Sequence, residues 1–225
     1  MVDAFGLGRC ILPPVVAYMT FVTTLWRHYS GPWVPISRYF MEFRYYHNVL
    51  FALYSFLVAV HSATKINARF DEGGYYAVTC RSSPGSPPFW YASKYWEWFD
   101  TFFMMVGGRR PSILHLFHHG TTAPLVALNL FGRTDPTPLF DVGTYLNGLV
   151  HSAMYLYYAE PIALMAIKKW ITLAQIVQHA LVVGNLFAAL LTEACDAPYD
   201  VYGISLLVYA AYLGLFLRFY LSAYF

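Results

Sequence analysis

Seven apolar stretches, each near the roughly 20 residues a helix needs to cross a bilayer, follow one another along these 225 residues. They run roughly over 10–28, 43–65, 89–107, 112–131, 138–159, 170–192 and 199–222. Turn-forming groups separate them: Gly31-Pro32, the segment Pro84 to Pro88, Gly107-Gly108, Gly132 to Pro138, Pro161, and Asp196 to Pro198. Only 12% of the residues are charged, against about 25% in a soluble domain. Lipid must therefore replace water over most of the surface. The expected architecture is an all-α membrane protein, a single domain over 1–225 with seven transmembrane helices that read as unbroken. The first stretch reads as a membrane helix and not a cleaved leader, because Pro13 and Pro14 interrupt it and no small-residue cleavage site follows. A net charge of +2 without a Lys/Arg run gives no case for nucleic acid.

Basic residues in short loops orient such a chain. One side collects Arg27, Arg38, Arg44, Arg109, Arg110, Lys168, Lys169 and Arg218. The other mixes Arg9, Lys65, Arg69, Arg81 and Arg133 with Asp71, Glu72, Asp135, Asp141, Glu193, Asp196 and Asp200. The first side is expected in the cytosol, which places the N-terminus in the lumen and the C-terminus in the cytosol. Cys80 and Cys195 then share the lumenal side, where disulfides persist. A Cys80–Cys195 bridge is expected, the alternative being two free buried thiols, while Cys10 is expected to pack unpaired.

Ionisable groups inside membrane segments are costly and mark function. Here they fall in four helices: Lys94, Glu97 and Asp100; His115, His118 and His119; Asn147 and His151; Thr172, Gln175, Gln178 and His179. Spacings of three and four residues put Lys94, Glu97 and Thr101 on one face, the three clustered histidines on a second, Asn147, His151, Tyr155 and Tyr158 on a third, and Thr172, Gln175 and His179 on a fourth. At about 1.5 Å of rise per residue all four faces meet at one depth, roughly 8 to 15 Å below the cytosolic helix ends. They read as the wall of one polar chamber opening towards Arg109, Arg110, Lys168 and Lys169, a mouth suited to a polyanion. Bland readings stand beside these. His179 alone suits a structural hydrogen bond, Lys94 and Glu97 a structural ion pair, the tyrosines an interfacial belt, and the basic loops a topology signal. Three histidines within five residues resist such a reading, while His28, His47 and His61 read as packing or interface residues.

These residues carry a resemblance to the ELO family of very-long-chain fatty-acid elongases. Its Lys-x-x-Glu-x-x-Asp-Thr box is matched by Lys94, Glu97, Asp100 and Thr101, and its His-x-x-His-His box by His115, His118 and His119. Its Asn-x-x-x-His-x-x-Met-Tyr-x-Tyr-Tyr box is matched by Asn147, His151, Met154, Tyr155, Tyr157 and Tyr158, and its Thr-x-x-Gln by Thr172 and Gln175. The boxes occur in family order between Asn48 and Tyr224. The resemblance implies an acyltransferase of the endoplasmic-reticulum membrane that converts acyl-CoA and malonyl-CoA to 3-oxoacyl-CoA, carbon dioxide and CoA, with no cofactor and no metal. It also implies a helical barrel enclosing an acyl tunnel sealed towards the lumen. A ketoreductase, a dehydratase and an enoyl reductase are the implied partners, with a homo-oligomer left open. Family members usually continue past the last helix into a basic tail, whereas this sequence stops at Phe225.

None of the three cysteines lies near the chamber, so an acyl-enzyme route needs another nucleophile, and imidazole is available. The resemblance assigns that role to His118, with His151 polarising or protonating a carbonyl, His115 and His119 orienting His118, and Asn147 and Gln175 donating to the enolate. Arg218, His179, Tyr155 and Tyr158 complete the expected substrate contacts, and Lys94, Glu97 and Asp100 either join them or hold the chamber together. A one-stage condensation with His118 as base uses the same residues. Two other classes compete. A di-iron desaturase shares the His-x-x-His-His pattern but needs about eight histidine ligands. A seven-helix receptor or transporter would bind without transforming, and the histidine box and unbroken helices argue against it.

Overall fold

The computed structural model describes the backbone of residues 4–29, 37–82, 89–131, 136–192, 195 and 199–225, and the side chains of all of these except 4–11 and 29. The breaks read at Gly31-Pro32, Pro84 to Pro88 and Asp196 to Pro198, the Gly132 end of the next loop, the charges Arg133, Asp135, Glu193 and Asp196, and the side chains of Arg9 and Cys10 fall outside the described residues.

The described residues form eight helices: α1 Ala4–Tyr29, α2 Arg38–Cys80, α3 Phe89–Trp96, α4 Trp98–Val106, α5 Ile113–Phe131, α6 Phe140–Ala159, α7 Lys168–Leu191 and α8 Tyr199–Tyr224. A 3-10 turn, Met165–Ile167, leads into α7. Among the described residues there is no strand. Since α3 and α4 together occupy one apolar stretch, the described residues form seven helical segments, one for each stretch. Three are long and apolar enough by themselves to cross a membrane: Arg38–Cys80, Met165–Leu191 and Tyr199–Tyr224, with mean hydropathy of 1.6, 1.6 and 1.7. In α5 and α6 the histidines, Asp141 and Asn147 dilute the apolar signal.

One element expected to be unbroken is not, and another runs past its expected end. The third stretch breaks at Glu97, where α3 ends and α4 restarts. The second runs 43 residues instead of about 23 and kinks at Gly73 and Gly74, where Gly74 has a φ of 62°. That left-handed conformation suits a residue without Cβ. It turns the end of α2 back over the bundle. Arg69 secures the returning segment by donating from Nη2 to the carbonyls of Ala77, Val78 and Arg81 and from Nη1 to Pro138 O. Lys65 and Arg69 each lie 3.4 Å from an oxygen of Asp141. Cys80 is disulfide-bonded to Cys195, as the topology led us to expect. With Leu139, Val182, Leu186, Ala189 and Tyr202 the bridge forms a packed plug at this end.

Helix α2 shows how an apolar helix divides lipid from core. Leu50, Leu53, Leu57 and Val60 recur at helical spacing and stay exposed, while Phe51, Ser55, Val58, Ala59 and Ser62 are buried. The small inward residues let α6 approach closely, which is how membrane helices gain packing energy. At Gly148 an added Cβ would lie 2.8 Å from Ser55 O and 3.0 Å from Ala59 Cβ. Gly148→Ala is therefore expected to lower the melting temperature by several degrees, at the roughly 1–3 kcal/mol that overpacking costs. A thermal melt in detergent checks this, and an unchanged transition would show that the two helices separate easily.

Helix α6 packs on α2 and α7, α7 on α8, α8 on α5, and α5 on α3. Aromatic contacts such as Phe43–Phe103 and Tyr54–Phe89 return the sequence of neighbours to α2. The polar faces of α3 to α7 turn into the space this arrangement leaves. Helix α1 packs on α5 and α4.

Candidate active site

Cavities between the described helices bear on the site. A polar chamber of about 250 Å³ is lined by His115, His118 and His119, by Asn147 and His151, by Lys168, Thr172, Gln175, Gln178 and His179, and by Phe216 and Phe219. A deep, narrow cavity of about 60 Å³ runs from His118 and Asn147 past Thr122, Leu125 and Asn129 to Leu139, Val182 and Leu186. Its floor is thus made of plug residues. His118, Asn147, Gln178 and His179 line both spaces and form the throat between them. A side cavity of about 680 Å³ lies beside the chamber, with Arg44, Asn48, Asp100 and Arg109 in its wall.

The break at Glu97 lets α3 and α4 serve different neighbours. Lys94 Nζ donates to Glu97 Oε1 at 2.6 Å and to Asn147 Oδ1 at 3.1 Å, and sits 3.8 Å from the centroid of the Trp90 ring. Lys94 and Glu97 are 3% and 2% exposed, so this is a fully desolvated ion pair. The other side of Glu97 Oε1 faces His151 Nδ1 at 3.5 Å. After the break, Thr101 Oγ1 is hydrogen-bonded to His115 Nε2 at 2.8 Å, and Asp100 Oδ2 accepts from Tyr155 OH at 2.7 Å. Asp100 and Thr101 thus engage different helices.

The three clustered histidines have distinct surroundings. His115 is held by Thr101 and stacks on His119, their centroids 4.2 Å apart. His118 packs on the Tyr212 ring at 4.8 Å, and Tyr212 is itself fixed by Thr121 at 2.6 Å. His179 Nδ1 donates to the Gln175 carbonyl, which fixes its tautomer. Gln175 reaches Met154 Sδ at 3.6 Å. Among the described residues His119 Nδ1, His151 Nδ1, Glu97 Oε2 and Thr122 Oγ1 are buried without a hydrogen-bond partner.

Not every expected side chain faces these spaces. Tyr158 lines both the chamber and the side cavity, but Tyr155 is buried against Asp100. Of the basic mouth, Lys168 lines the chamber and Arg109 the side cavity. Lys169 lies over the rings of Tyr220, Tyr224 and Phe225, Arg110 over Trp26, and Arg218 is exposed outside the three cavities. His47 is buried among Phe51, Phe99 and Phe103, in keeping with packing. Thr122 and Asn48 are cavity residues that the sequence did not single out, while Gln178 and Arg44, which it marks as a polar group within its helix and as a cytosolic basic residue, had no expected place in the chamber. Gln178 and Thr122 were within reach of periodicity, three residues from Gln175 and four from His118. Arg44 and Asn48 carried no local signal of a cavity.

A sequence model of the GNS1/SUR4 family, ELO, matches residues 9–225. The chain belongs to the ELO family. Among ELO relatives, long chain fatty acid elongase 1 of Caenorhabditis elegans is 30% identical over 199 residues, covering 79% of this chain and 66% of its own length. Fatty acid elongase sre1 of Dictyostelium discoideum is 28% identical over 195 residues, covering 79% of this chain and 70% of its own. A fatty-acid-elongase relative of Schizosaccharomyces pombe is 30% identical over 201 residues, covering 80% of this chain, which spans 54% of that protein's length. No solved structure matches the chain.

Proposed function

We propose that this ELO protein is the condensing enzyme of fatty-acid elongation, joining a long-chain acyl-CoA to malonyl-CoA. The observation that carries the reading is the position of His118. It is the histidine of the clustered box that lines both the polar chamber and the deep cavity. An acyl thioester with its chain in the deep cavity and its CoA in the chamber has its carbonyl in the throat, beside that ring. The names of the relatives, fatty acid elongases, support the same substrate class.

In the two-stage route an imidazole nitrogen of His118 attacks the thioester carbonyl. A C–N bond forms, the C–S bond breaks, and the ring proton leaves with the thiolate as CoA. Malonyl-CoA then loses its carboxylate as carbon dioxide, and the electron pair of that bond becomes the enolate. The enolate carbon attacks the acyl carbon and the imidazole departs, regaining a proton delivered through His151. Asn147 and Gln178, both in the throat, are the amides placed to stabilise developing oxyanions. The geometry favours Gln178 over Gln175, which lines the chamber alone. His115, held by Thr101, orients the box. No cofactor or metal is part of this proposal.

The reading extends to topology. All seven helical segments cross the membrane of the endoplasmic reticulum as a barrel, with the disulfide plug in the oxidising lumen and Arg44, Arg109 and Lys168 at the cytosolic end. The N-terminus is then lumenal, the C-terminus cytosolic, and the plug closes the acyl tunnel. The implied partners are the reductases and dehydratase that process the product.

The test is to supply purified protein in detergent with labelled malonyl-CoA and a panel of acyl-CoAs, without nicotinamide cofactor. The expected product is a 3-oxoacyl-CoA two carbons longer. A folded preparation that forms none with any acyl-CoA, and carries stoichiometric iron, overturns this reading in favour of a di-iron enzyme.

A further inference from the structure

The side cavity has a relation to the chamber that the reaction above does not use. The two share a wall of Met104, His115, His119, Met154, Tyr157 and Tyr158. Among the described residues the side cavity shares no lining residue with the deep cavity, whereas the chamber shares four. A long acyl chain therefore reaches its tunnel from the chamber and not from the side cavity. Each space also has its own cations. Lys168 lines the chamber, while Arg44 from α2 and Arg109 from the α4–α5 turn line the side cavity. Among the described residues neither arginine has an ion-pair partner within 4.0 Å. The one carboxylate in this cavity, Asp100, accepts a hydrogen bond from Tyr155. Two guanidinium groups on one cavity, without a paired carboxylate, suit phosphate oxygens, which the planar fork binds bidentately.

We propose that the side cavity is a second thioester site, which holds the phosphates of malonyl-CoA at Arg44 and Arg109, while acyl-CoA enters by the separate mouth at Lys168. The two CoA substrates then approach the histidine wall from opposite sides. Malonyl-CoA, with no long chain, needs no access to the deep cavity. The proposal rests on the condensing function argued above.

The experiment separates the half-reactions. Acylation is followed by intact mass with acyl-CoA alone, and steady-state constants are measured for each substrate. Arg44→Ala and Arg109→Ala are expected to raise KM for malonyl-CoA at least tenfold, the lower end of what losing a charge-assisted hydrogen bond costs, and to leave acylation and the acyl-CoA KM unchanged. Lys168→Ala is expected to do the reverse. Because Arg44 is half-buried, a second variant guards against misfolding. Ile162 lines the side cavity from an 86% exposed position, so Ile162→Trp narrows that mouth without touching the core. It too is expected to raise the malonyl-CoA KM alone. Equal effects on both substrates, or none on malonyl-CoA, overturn the two-mouth arrangement and leave one shared entrance. Failure of the wild-type protein to condense at all is a separate result and removes the function itself.

Discussion

His118→Ala is expected to abolish condensation, lowering turnover by at least about a thousandfold, since removing a nucleophile costs that much or more. The mutant is also expected to form no acyl adduct when acyl-CoA is supplied alone. The site predicts a graded series around it. His118 stands in the throat, against Tyr212, where the proposed reaction puts the thioester carbonyl. His115 is one turn earlier, tied to Thr101 and stacked on His119. His115→Ala should therefore slow acylation roughly ten- to a hundredfold, the range for groups that orient or transfer a proton, and still leave a detectable adduct. Rates and intact masses of the two mutants, beside a thermal melt for folding, decide the matter. An adduct that survives in His118→Ala moves the nucleophile elsewhere. Product without an adduct in the wild type keeps His118 as a base in a one-stage reaction.

The second large effect is expected at the buried ion pair. Lys94→Ala leaves the Glu97 carboxylate in the bundle, with Oε2 already unpartnered and His151 as the remaining neighbour of Oε1. Removing one member of such a pair costs about 3–5 kcal/mol, which lowers the melting temperature by on the order of 10 °C for a chain of this size. Replacing both charges, as Lys94→Met with Glu97→Leu, should restore most of that stability, because no uncompensated charge remains. Activity should not return. Lys94 also holds Asn147, and Glu97 faces His151, so the double mutant loses two supports of the site. A double mutant that folds and condenses at the wild-type rate would reduce the pair to a structural pin.

The sequence by itself determined that this is a multi-segment helical membrane protein. Low charge and apolar runs leave a chain few ways to satisfy its backbone in lipid, and helices meet that demand segment by segment. It also singled out the histidine box, Lys94, Glu97 and Asn147, because ionisable groups inside such segments stand out against an apolar background. The order of the apolar stretches and the loop charges put Cys80 and Cys195 on one side, and the bridge joins them. Tertiary structure alone decided the rest. The break at Glu97 follows from where Lys94 and Thr101 find partners, on α6 and α5 respectively. The kink at Gly73 and Gly74 depends on contacts of Arg69 with segments up to 72 residues away. Local spacing placed Lys168, Lys169, Arg109 and Arg110 together, but only packing separated Lys168 and Arg109, which face cavities, from Lys169 and Arg110, which lie over aromatic rings. Arg44 and Gln178 acquired their positions in the same way. A cavity belongs to several helices at once, and no single helix records which of its residues will line it.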